Sequence, residues 1–178
     1  MLPRWPLRKR VPVSFSGRRD EAGAKLVREL RESGAEAEYV RADVRIEEDV
    51  HNLVDKTIKR FGRIDVAVNN AGTEGKPGPL IDQTVESYTM AFDTNVLGTF
   101  LGLKHELKVM IPQGSGSIIN ISSTLGQKTA PGASIYAATK HAVEGLTKTA
   151  ALEAASANVR VSARPKLAAR SEARGRRC

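Results

Sequence analysis

Short β-branched runs alternate with long helical patterns along this chain, and that alternation limits what it can fold into. Ile64–Asn69 (IDVAVN) and Ser117–Ser122 (SIINIS) are short, evenly apolar and bounded by glycines, which predicts buried strands. Val159–Val161 begins another, and two more are predicted upstream, at Val11–Phe15, whose start Pro12 weakens, and at Glu36–Arg41. Helical periodicity fills the gaps. One helix is expected from Asp20, read as its cap, with Ala24, Leu26, Val27 and Leu30 inward and Ser33-Gly34 as its stop. A second covers Glu47–Phe61, with Val50, Leu53, Val54 and Ile58 inward and Gly62 ending it. A third, long one runs from about Thr84 to Met110 and ends at Pro112; a fourth starts near Ser134. Strands joined through helices are parallel strands, so the prediction is a parallel sheet covered on both faces.

The fourth helix carries the most pointed chemistry. Tyr136 and Lys140 are four residues apart and share a helix face. Ser123 stands at the tip of the preceding strand, thirteen residues before Tyr136. A hydroxyl, a phenol and an ammonium can thus converge on one pocket. A free tyrosine has a pKa of about 10, too high for a good base near neutrality, and a neighbouring cation favours the phenolate. A Tyr and a Lys at this spacing are also common on plain amphipathic helices, so the pair needs company to mean chemistry.

That company exists. NNAG (Asn69–Gly72) follows a strand, NVLGTF (Asn95–Phe100) lies inside a helix, and ADV (Ala42–Val44) closes another strand. With Ser123 and the Y-x-x-x-K of Tyr136 and Lys140, in this order and at these spacings, the chain from about Val13 to Val161 resembles the classical short-chain dehydrogenases/reductases. The resemblance implies an α/β fold of the Rossmann type, a doubly wound parallel sheet with helices on both faces. It implies a hydride-transferring oxidoreductase acting on a small carbonyl or alcohol with a nicotinamide cofactor. Tyr136 would be the general acid/base, Lys140 its cationic partner and a contact of the nicotinamide ribose, and Ser123 the holder of the substrate oxygen. Asn95 would help hold a water in a proton relay and is expected to distort the long helix locally. Asn69, Asn70, Ala71 and Gly72 would stabilise the sheet and approach the adenosine ribose, with Asp43 and Val44 bracketing the adenine.

The same comparison reveals departures. Val11–Phe15 corresponds to the family's second strand, so the sheet is expected to be incomplete, and no T-G-x-x-x-G-x-G turn occurs in the sequence. That turn brings backbone N–H groups and a helix N-terminus to the cofactor's pyrophosphate. Losing the central strand would part the strands on either side of it. At the other end NVRVSARP matches the start of the family's N-V-x-P-G segment, but Ser162 and Lys166 stand where Asn and Gly are usual. The expected organisation is a basic irregular segment at 1–10, a truncated Rossmann-like domain at 11–163 and a basic, disordered tail at 164–178. A non-catalytic relative that cannot hold cofactor is the alternative reading. The end of the second family strand, where an acid selects NAD, holds Gly17 followed by Arg18 and Arg19. An arginine there suits a 2′-phosphate, so NADP is expected over NAD, with Arg18 as its contact; NAD remains possible.

Charge and composition narrow the partners. The net charge of +8 is confined to the ends: residues 1–20 carry +5 and residues 160–178 carry +6, leaving −3 between. Neither end has interleaved aromatics or a nucleic-acid motif, so solvated tails are expected and no nucleic acid. No apolar run reaches the ~18 residues of a membrane span, no secretory signal opens the chain, and its one cysteine, Cys178, allows neither an internal disulfide nor a Cys metal site, which together suggest a cytoplasmic protein without a membrane partner. His51 and Asp55 at i, i+4 read as a surface pair rather than metal ligands. Gly98 and Gly102 are expected to let another helix approach closely. By resemblance, the helices around 84–110 and 134–157 would form a homo-oligomer interface.

Overall fold

The computed structural model describes residues 11–165; the expectations for segments 1–10 and 166–178, including Lys166 and Cys178, fall outside them. The chain divides into two compact units at Ile64/Asp65.

The first unit holds β1 (Val13–Gly17), α1 (Asp20–Glu32), β2 (Ala37–Arg41) and α2 (Glu47–Phe61). β1 and β2 pair in parallel, Val13 opposite Ala37 through Gly17 opposite Arg41. Ala37, Val40, Ala42, Val50, Val54 and Ile64 are buried. α2 has the bounds its sequence signals: Glu47, Glu48 and Asp49 complement the positive end of the helix, and Gly62 closes it in the left-handed region (φ 80°) that a Cβ penalises. Asp20 does not cap α1. It is the first residue inside the helix, and Arg19 stands at the cap without a side-chain bond. Asp20 still serves the helix as an acid in its first turn. β1 is displaced from the predicted strand because Val11 and Pro12 lie outside the ladder. His51 and Asp55 form a half-exposed i, i+4 pair at 3.5 Å, as a surface pair would.

The second unit holds β3 (Val66–Asn69), α3 (Val85–Phe92), α4 (Gly98–Gln113), β4 (Gly116–Ser122), α5 (Ser134–Ala154) and β5 (Val159–Pro165). Its strands are parallel in the order β3-β4-β5, with β4 central. Val66 faces Ser117 and Asn69 faces Asn120 on one side; on the other, Gly116 faces Val159 and Ser122 faces Pro165. β5 thus extends two residues past the expected domain end at 163. β4 buries Ile118, Asn120 and Ser122 in strict alternation, the period-2 signature of a strand. The described strands therefore form two parallel sheets, one of two strands in the first unit and one of three in the second, each with helices beside it in an α/β arrangement.

The long helix differs from its sequence reading in two ways. Thr84 caps α3 in a reciprocal box with Ser87, and one π-turn, Asp93–Leu97, then separates α3 from α4. The local distortion expected around Asn95 is this turn. Pro112 does not end the helix, which runs one residue further, to Gln113, with Gly114 in the left-handed region at φ 71°. Pro112 has no N–H to give the Lys108 carbonyl, and the helix closes just after it with the Gly114 N–H on the carbonyls of Met110 and Ile111.

Candidate active site

The π-turn points Asn95 inward, where the side chain is wholly buried. Its Oδ1 accepts from the Thr73 N–H at 2.7 Å, and its Nδ2 donates to the Thr73 carbonyl at 2.8 Å and to Thr139 Oγ1 at 3.0 Å. Thr139 in turn donates to the Tyr136 carbonyl at 2.7 Å. One amide therefore ties the loop after β3 to the first turns of α5. Thr73 and Thr139 are functional neighbours that the sequence does not announce; a threonine before a lysine is unremarkable in a helix.

Lys140 follows Thr139 and is 5% exposed. Its Nζ donates to the Ile121 carbonyl at 2.8 Å, near the C-terminal end of β4, and lies 5.7 Å from the centroid of the Tyr136 ring. A buried ammonium is costly unless it is hydrogen-bonded, and here the strand end supplies an acceptor. Ser123 comes directly after β4, in extended conformation, and its Oγ accepts from the Leu125 N–H at 3.2 Å, capping the 3-10 turn Thr124–Gly126. That turn lies tightly on α5, since a Cβ at Gly126 would fall 3.2 Å from the Lys140 carbonyl. The neighbouring Ser122 is different in kind: buried in the sheet, its Oγ has no hydrogen-bond partner.

The turn after β3 divides its work. Asn70, Ala71 and Gly72 are exposed, whereas Asn69 turns into the fold. Asn69 Nδ2 donates to Glu106 Oε2 at 3.0 Å and to Asn120 Oδ1 at 2.9 Å. A Cβ on Gly72 would come within 3.2 Å of Asn95 Oδ1 and 3.8 Å of Lys140 Nζ, so bare backbone passes beside the lysine. Gly102 serves a strand residue rather than another helix: a Cβ there would collide with the Asn69 side chain.

In the first unit, Arg18 is exposed just after β1, and Val44 and Asp43 are half-buried just after β2. Asp43 does not cap α2, whose N-cap is Ile46. Its carboxylate takes the Arg45 guanidinium at 2.6 Å, and Arg45, with a lesser contribution from Arg18, lowers its pKa to about 2.

The short chain dehydrogenase family model matches residues 7–165. Xanthoxin dehydrogenase of Arabidopsis thaliana is 40% identical over 146 residues, covering 80% of this chain and 51% of that protein. The A-factor type gamma-butyrolactone 1'-reductase (1S-forming) of Streptomyces virginiae is 44% identical over 159 residues, 88% of this chain and 61% of the relative. Among solved structures, an NAD+-bound xylitol dehydrogenase superposes with a TM-score of 0.81 at 37% identity, covering 84% of this chain and 58% of that one. ElxO with NADP bound gives 0.80 at 35% identity, covering 84% and 60%. The protein is a member of the short-chain dehydrogenase family. It spans between half and two thirds of the length of these relatives.

Proposed function

We propose that this chain carries the proton-transfer half of an NAD(P)-dependent oxidoreductase acting on a small carbonyl or alcohol. The observation that supports this best is the buried Lys140 ammonium, anchored on the Ile121 carbonyl two residues before Ser123 and seated beside the Tyr136 ring. Tyr136 gives its phenolic proton to the substrate oxygen in reduction and recovers it in oxidation. Ser123 holds that oxygen. Lys140 stabilises negative charge on the phenol oxygen and meets the nicotinamide ribose. Asn95 acts by holding the loop at Thr73 and the α5 turn at Thr139, with a relay water as its further role.

The residues suit a nicotinamide nucleotide: the exposed Asn70–Gly72 turn runs bare backbone past Lys140, leaving a place that a Cβ would occupy. When bound, that nucleotide supplies or accepts the hydride. Asn69 to Gly72 would take its adenosine end. Arg18 favours NADP, the form named with ElxO, while NAD is named with the xylitol dehydrogenase. A cytoplasmic location and a homo-oligomer formed through residues 84–110 and 134–157 complete the reading; the exposed Phe100 and Leu152 support such an interface.

One observation favours a second reading, a non-catalytic partner. No T-G-x-x-x-G-x-G turn occurs in the 178 residues, so the pyrophosphate has no glycine cradle and NADPH is expected to bind weakly to this chain. Fluorescence titration of the full chain with NADPH, followed by a carbonyl-reduction screen, separates the two. Turnover that falls ~10²–10⁴-fold in Tyr136→Phe, with binding unchanged, is the expected signature of the first reading. Near-normal turnover in that variant removes Tyr136 from the mechanism, and absence of NADPH binding at millimolar concentration leaves the second reading.

A further inference from the structure

We propose that Glu106 is a positioning residue for the turn Asn69–Gly72, acting through the side chain of Asn69. The turn's place in nucleotide binding rests on the function proposed above; its mechanical link to Glu106 does not. Asn69 is the last residue of β3, so whatever fixes its side chain fixes where the turn departs from the sheet. Both hydrogens of its amide nitrogen are committed, one to Glu106 on α4 and one to Asn120 on β4. Asn120 Nδ2 passes the connection to Thr147 Oγ1 at 2.9 Å, and Thr147 donates to the Val143 carbonyl of α5 at 2.7 Å. The link thus runs through four elements of one unit. Gly102 lies one helical turn before Glu106 on the same face and leaves the space that Asn69 fills. Glu106 then closes the contact, being 8% exposed in a helix row that an apolar residue could have occupied.

A carboxylate so placed is expensive, and an apolar or amide side chain would cost less. Burial pushes the Glu106 carboxyl up to about 7, and the Asn69 hydrogen bond pulls against it. The other members of the link, Asn69 from β3, Asn120 from β4 and Thr147 from α5, do not titrate. Charged or titratable residues on the packed elements are Lys104, His105 and Lys108 on α4 and Tyr136, Lys140, His141, Glu144, Lys148 and Glu153 on α5, with Asp65 at the foot of β3; the shift comes from burial and the Asn69 hydrogen bond rather than from these. Near neutrality Glu106 therefore passes between an ionised acceptor, which holds Asn69 strongly, and a neutral acid, which holds it less.

The experiment uses the full chain labelled with ¹⁵N. Side-chain amides of Asn69 and Asn120, and backbone amides of Asn70–Gly72, are followed from about pH 5.5 to about pH 8.5. All should shift together with one midpoint near neutrality, and Glu106→Gln, which keeps the shape, should leave them without that titration. If Glu106→Ala fails to fold, Glu106→Gln supplies the comparison. A titrating Asn69 side chain beside an unmoved Asn70–Gly72 backbone overturns the proposal, as does a titration that survives in Glu106→Gln. NADPH titrations near pH 6 and pH 8 form a separate arm. A nucleotide affinity that changes with pH in the parent and not in Glu106→Gln supports the proposal. Absence of binding at either pH counts against the functional reading alone, and the spectra still decide the role of Glu106.

Discussion

The two units solve the problem of polar groups in opposite ways. Residues 11–64 put their charges at the surface, in pairs such as Lys25–Glu29, Arg41–Asp20 and Arg60–Glu38, and their wholly buried residues are apolar, although Ser14 Oγ is buried there without a hydrogen-bond partner. Residues 65–165 hold the largest fully buried side chains, Met110, Ile118 and Val143 together with Asn95, Asn120, Thr139 and Ser122. Exposed ion pairs contribute little, whereas a buried donor or acceptor left without its partner costs about 1–3 kcal/mol. The second unit is consequently the more specified of the two, and it is the one that carries Ser123, Tyr136 and Lys140. Its polar core fixes directions, on which the proposed proton transfer would depend.

The sharpest test of that contrast is Asn95→Ala. It leaves the Thr73 N–H and carbonyl and the Thr139 hydroxyl without their partner, so a loss of roughly 3 kcal/mol or more is expected in urea unfolding. A loss below about 1 kcal/mol would remove the basis for treating the second unit as the specified one.

Next in size is the pH dependence contributed by Glu106. Its folded pKa stands above the ordinary 4.5, at about 7, so between those values the folded state binds more protons than the unfolded one. Stability from this group is full below about pH 4.5 and falls as pH rises towards 7, by roughly 3 kcal/mol in all. Glu106→Gln should remove that decline. Denaturant midpoints near pH 5 and pH 8 check it. Asp43 in the first unit has the opposite sign: its lowered pKa adds stability above the unfolded value, lost only as pH falls towards about 2.

Smaller effects belong to the first unit. A Cβ at Gly23 would fall 2.5 Å from ring atoms of Tyr39, so Gly23→Ala is expected to cost about 1–3 kcal/mol in a thermal melt. Arg45→Ala breaks a pair whose arginine is 41% exposed and should cost at most about 1 kcal/mol at neutral pH. A larger cost for Arg45→Ala than for Asn95→Ala would invert the comparison.

What the sequence made legible was local or motif-bound. α2 could be bounded because its acids, its apolar period and Gly62 are all near neighbours in sequence. The position of Lys140 beside Tyr136 follows from helical spacing alone. The partners of Asn69 did not follow from anything local, because Glu106 and Asn120 lie 37 and 51 residues away. Gly102 was misread for the same reason: a small residue shows that something comes close, not what. Pro112 misled because its cost depends on how many turns follow it, and here the helix closes one residue later.

The π-turn at Asp93–Leu97 has a consequence for how this chain can vary. Such a turn amounts to one extra residue accommodated within an otherwise α-helical course. No point substitution reproduces or removes that count. Deleting a single residue within the turn would give a regular α-helical turn and leave the flanking helices in phase, while removing the local geometry that sets Asn95 between Thr73 and Thr139. Deleting one from the regular helix between the turn and Glu106 would instead rotate Glu106 by about 100° relative to Asn95 and part it from Asn69. The same change of length is thus absorbed at the turn and disruptive beyond it.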